Sequence, residues 1–140
     1  MKKILLFVLV IILGIGFSGC SLSPNEELNK IDLKNVYNEC ECQSPWAKLG
    51  SDNSYIYLDT NPYDFDDESY LSRLYRNDVY NAIDNINSKL GIPSSVKQDM
   101  LHTNSLAGRQ RRTYESLGIE VSWTYHPDYG LQVTYSIYIN

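Results

Sequence analysis

The stretch IEVSWTYHPDYGLQVTYSIYI, residues 119–139, decides the fold. Ile119, Val121, Trp123 and Tyr125 alternate with polar residues, and Leu131, Val133, Tyr135, Ile137 and Ile139 repeat the same period of two. Such alternation marks strands with one face buried and the other wet. HPDYG, residues 126–130, lies between them and reads as a five-residue hairpin connection in which Gly130 supplies positive φ. A hairpin with one apolar face needs a layer to cover it.

That layer lies upstream. Leu71, Leu74, Tyr75, Val79, Ala82, Ile83, Ile86 and Leu90 hold a helical period, with Asp66, Asp67 and Glu68 at the positive N-terminal end and Gly91 then Pro93 at the stop. Ser95 and Gln98 have the spacing of a capping box ahead of Val96, Met100 and Leu101, which mark a second, short helix. SYIYLD, residues 54–59, alternates as a strand and ends at Asn61-Pro62. The segment 106–117, containing GRQRR, has no clear period and reads as a loop. The expected fold is therefore α+β, a small antiparallel three-stranded sheet in β-α-α-β-β order with helices packed on one face.

Toward the N-terminus, Leu33, Val36, Tyr37 and Cys40 form one stripe of a short helix that Asp32 can cap. SLSPNEELNK, residues 21–30, is polar, contains Pro24 and has no periodicity, which is the pattern of a flexible tether. Lys2 and Lys3 precede an apolar run from Ile4 to Phe17, a charged segment followed by an apolar one as in export signals. At 1.5 Å per residue that run spans about 21 Å, short of the ~30 Å of a bilayer core.

The run ends in Phe17-Ser18-Gly19-Cys20, which resembles the lipobox of bacterial lipoproteins, although leucine is usual where Phe17 stands. The resemblance covers residues 1–20 and implies removal of a signal peptide, 1–19, and lipidation of Cys20. Two or three acyl chains anchor stably where one does not. The implied location is the cell envelope, on the outer side of the cytoplasmic membrane or at an outer membrane where the host has one. The chain then divides into the signal, a region 20–45 holding the lipidated end, tether and short helix, and one domain, 46–140.

Loss of the signal removes both Lys2 and Lys3 and no acid, leaving 10 basic and 17 acidic side chains and a net charge of −7. A mature chain this acidic is unsuited to nucleic acid. Against that field stand Arg109, Arg111 and Arg112, whose forked guanidinium groups suit phosphate or carboxylate on an envelope polymer or another envelope protein. Among the 12 tyrosines, Tyr135 and Tyr125 share the apolar strand face with Trp123, whereas Tyr55, Tyr57, Tyr63, Tyr129 and Tyr138 are candidates for partner binding.

Asp59, Asp64, Asp66, Asp67 and Glu68 are weak calcium candidates, because they lack the glycine and glutamate spacing of an EF-hand and serve equally as helix-end acids. Cys40 and Cys42 read as free thiols or as a strained local bond, since an extended C-x-C places the Cα atoms about 6.6 Å apart. His102 and His126 have structural placements at a helix end and in a turn, and no G-x-S-x-G elbow supports a hydrolytic triad. No metal or other cofactor is implied. The reading is a non-catalytic, surface-anchored binding module contacting its partner through the aromatic sheet surface and the loops at Pro62 and Pro127. A small cell-envelope hydrolase or hydrolase inhibitor is the alternative.

Overall fold

The computed structural model describes residues 31–66 and 69–139; the segment 1–19, Cys20, the stretch 21–30, Asp67 and Glu68 lie outside the described residues. The elements are α1 (Leu33–Glu39), β1 (Ala47–Leu49), β2 (Tyr55–Asp59), α2 (Tyr70–Leu90), α3 (Ser95–Leu101), β3 (Gln110–Tyr114), a 3-10 turn at Glu115–Leu117, β4 (Ile119–His126) and β5 (Gly130–Ile137). The sheet has five strands in the order β1-β2-β5-β4-β3, every pair antiparallel. This overturns the three-stranded sheet and its β-α-α-β-β order, while α+β holds as the class.

The two additional strands carry no alternation because they lie at the edges. β1 is three residues long, and β3 is the QRRTY of the expected loop, with Arg111, Arg112 and Thr113 all exposed. An edge strand is made by the neighbour whose hydrogen bonds it completes, β2 for β1 and β4 for β3, more than by an apolar face of its own. The hairpin connection is also tighter than expected: His126 pairs with Gly130, so the turn is Pro127–Tyr129, three residues. β5 ends at Ile137 and leaves Ile139 86% exposed.

Register explains the core. One row crosses all five strands through Ala47, Leu58, Val133, Trp123 and Gln110, and the next through Leu49, Ile56, Tyr135, Val121 and Arg112. The middle members of both rows are buried under Val79, Ala82, Ile83, Ile86 and Leu90 of α2, with Val96 and Met100 of α3 beside them. The start of the expected α2 stripe is not covered, since Leu71 and Leu74 remain exposed.

Helix ends follow local chemistry. Asp32 caps α1 by accepting from Asn35 N at 3.1 Å, and Ser69 caps α2 by accepting from Ser72 N at 3.0 Å. Gly91, at φ +71°, closes α2. The expected capping box at Ser95 and Gln98 does not form: Ser94 is the cap residue of α3 and makes no side-chain capping bond. α1 ends without glycine, because Glu41 takes φ +54° so that Cys42 N can bond Tyr37 O and Glu41 N can bond Asn38 O. The left-handed residue between them turns both Cys40 and Cys42 into the core, where they are free thiols. Burial pushes both thiols up, Cys42 to about 12.

Candidate functional site

Each end of the sheet carries a hollow of about 330 Å³, and the two differ in what lines them. The chain enters at Ile31–Leu33 beside Asp52, Asn53 and Ile137, the last residue of β5. At the other end of β5, Gly130 and Leu131 border a groove of about 330 Å³ that is also walled by the first turns of α2 and the connection from α3 to β3. α2 runs from this groove, at Ser72, toward the entry end, where Asn87 meets Tyr135.

The groove floor is tied down by two buried polar residues. Thr60 Oγ1 accepts from Leu131 N at 2.8 Å and donates to Leu131 O at 3.1 Å. Gly130 is required beside it: φ is +73°, and a Cβ would collide with Thr60 Oγ1. Asn61 accepts from Phe65 N at 2.9 Å and donates to Phe65 O at 3.0 Å and to Asp128 O at 3.1 Å. One side chain thus joins the Pro62 loop to the Pro127 turn. On the far wall Thr103 Oγ1 donates to Asp99 O at 2.7 Å and accepts from Trp123 Nε1 at 2.8 Å, fixing the wall to the core.

The remaining wall comes from Ser72, Arg76 and Tyr80 of α2, with Tyr125 and Asn104 opposite. Arg76 Nη2 donates to Ser72 Oγ at 3.2 Å. None of these α2 residues is a candidate on sequence grounds, yet Ser72, Arg76 and Tyr80 stand at i, i+4 and i+8 and form a polar stripe beside the apolar one. Tyr80 also carries Lys97 Nζ at 5.7 Å from its ring centroid.

The structure separates the residues that sequence groups together. Tyr55 and Tyr57 are half-buried on the sheet face opposite the helices, where Tyr57 donates to Asp59 Oδ2 at 2.9 Å and burial raises its pKa well above the usual phenol value. Tyr63 is exposed against Phe65 and Tyr75, at 5.5 and 6.2 Å between centroids, and Tyr129 stacks on His126 at 4.7 Å; both belong to the groove end. Tyr138 lies at the entry end, its N–H bonded to Gly118 O.

Arg109, Arg111 and Arg112 do not make one basic surface. Arg111 and Arg112 are successive residues of β3 and face opposite ways, Arg111 toward Glu120 at 3.4 Å and Arg112 toward Asp99 of α3 at 3.4 Å. Arg109 precedes the strand and is exposed. Charged side chains on an edge strand discourage pairing with another chain, which accounts for their position.

Asp59 is occupied as a local brace, accepting from Tyr57, from Gln132 Nε2 at 3.2 Å and from Asn61 N at 2.9 Å. Asp64 sits at φ +53° in the Pro62 loop, and Asp66 O accepts from Ser69 N. Among the described residues no group of three or more His, Cys, Asp or Glu side chains could hold a metal ion. His102 closes α3, its Nδ1 2.7 Å from Gln98 O, while His126 Nδ1 accepts from Asp128 N at 3.2 Å in the hairpin. Compared with protein-family models, with curated proteins and with solved structures, the chain matches none.

Proposed function

We propose that this protein is a lipid-anchored binding module of the bacterial cell envelope, exported by its signal 1–19, held at Cys20, and presenting the groove end of its domain to a partner. The observation that carries this reading is polarity along β5. The described chain enters beside Ile137, and the groove opens beside Gly130, at the opposite end of the strand. At roughly 3.4 Å per residue these ends are about 25 Å apart.

Exposed apolar side chains are concentrated at the groove end. Tyr63, Tyr70, Leu71, Leu74, Leu101 and Tyr129 are all exposed there, on the Pro62 loop, the first turns of α2, the end of α3 and the hairpin turn. Clustered exposed aromatics and leucines mark contact surfaces. The groove wall sets hydroxyl, amide, guanidinium and phenol groups beside Leu101 and Leu131, a mixture suited to binding more than to hydrolysis.

The test has two arms. Cys20→Ala should abolish palmitate labelling and release the protein from the membrane fraction; retention without label in the wild type would refute the anchor. In the unlipidated Cys20→Ala protein, Leu71→Ser with Tyr129→Ser should abolish co-sedimentation with membrane-free envelope polymer while sparing the fold. Undiminished co-sedimentation would remove the groove end from the contact.

A further inference from the structure

We infer that the groove binds a neutral saccharide, a one- or two-ring stretch of an envelope glycan; this rests on the groove end being the contact surface and names its ligand. The volume of about 330 Å³ is at the low end of the roughly 300–1,000 Å³ of small-molecule sites, which suits one or two pyranose rings. The wall has the two kinds of surface that a sugar presents. Tyr80 and Tyr125 supply ring area for its C–H face, while Arg76, Thr103 and Asn104 bring guanidinium, hydroxyl and amide groups to its hydroxyl rim.

Preorganisation favours a small rigid ligand. Thr60, Asn61 and Thr103 are held by the hydrogen bonds that build the fold, so ligand binding orders few side chains. Charge favours a neutral one. Arg76 is the one ionised side chain among the described lining residues, its Nη2 already donates to Ser72 Oγ, and the mature chain around it has a net charge of −7, so a polyanion would meet repulsion before it reached the groove.

Full-length protein in a detergent without a sugar headgroup is titrated with chitotriose, with maltotriose and with inorganic phosphate. Tryptophan fluorescence is the readout, because Trp123 bonds the groove residue Thr103. At least one trisaccharide should produce a saturable change whose midpoint is insensitive to salt. Asn104→Ala, at an exposed position, and Tyr125→Ala should each weaken it at least ten-fold with unchanged circular dichroism. Absence of a response to either sugar, an affinity that neither variant changes, or competition by phosphate would overturn the assignment. Failure with both sugars while Leu71→Ser with Tyr129→Ser still abolishes envelope co-sedimentation would reject the ligand and keep the contact surface; failure of both measurements would reject both.

Discussion

Tyr135 and Asn87 form a polar pair in an otherwise apolar core, and a double-mutant cycle on them tests the account of that core. Tyr135 is fully buried and donates to Asn87 Oδ1 at 2.8 Å, while Asn87 Nδ2 is buried with no partner. Burial also holds the Tyr135 phenol protonated, its pKa raised well above the usual value. Tyr135→Phe removes one hydroxyl and almost no volume, leaving both polar atoms of the Asn87 amide unsatisfied. The expected loss is about 1–3 kcal/mol, the cost of stranding a buried acceptor. Asn87→Leu removes an amide that is already half unpaired, so its cost is smaller even though the Tyr135 hydroxyl loses its acceptor. With both changes no stranded group remains, and stability should return to within about 1 kcal/mol of wild type. Urea unfolding of the full-length protein in detergent, followed by circular dichroism, measures all four corners. Each kcal/mol should also move Tm by about 4–8 °C for a domain of this size. Strictly additive losses, or a Tyr135→Phe cost below about 0.5 kcal/mol, would refute the argument.

Gly130→Ala should lower stability by more than Gly91→Ala: both glycines have positive φ, but only at Gly130 does the added methyl collide with an atom, Thr60 Oγ1, and thermal melts of the two variants give the comparison. Arg111→Val with Arg112→Val should leave Tm within a few degrees yet raise aggregation in light scattering at neutral pH, because β3 would become an apolar open edge; an unchanged scattering profile would remove the protective role of these charges. The buried thiol of Cys42 is protonated in the fold, with its pKa raised from 9.0 to about 12, so its stabilising contribution is complete below 9.0 and is lost as pH climbs toward 12. Cys42→Ala should flatten the decline of unfolding free energy over that interval, and a decline identical to wild type would count against the burial of this thiol.

Legibility in the sequence follows burial. Trp123, Val121, Val133 and Tyr135 are readable as core because each alternates with a polar neighbour in a strand flanked on both sides. The helix over Tyr70–Leu90 is readable from its period and from Gly91. β3 is not readable, since none of its five residues is buried, so no apolar face imposes a pattern and QRRTY resembles a loop. The Schellman turn that buries Cys40 and Cys42 is hidden for a related reason, because Glu41 adopts φ +54° where the usual signal is glycine.

By itself the sequence determined the α+β class, the hairpin and its inward face, the long helix and its stop, and the lipobox resemblance at Cys20, because each depends on residues close to one another along the chain. Tertiary structure alone decided the two edge strands, the separation of Arg111 from Arg112 onto opposite faces, and the groove that joins Ser72 and Arg76 of α2 to Thr103, Asn104 and Tyr125. Those features join segments far apart in the chain, and only the pairing register and the packing of α2 across the sheet bring such segments within reach.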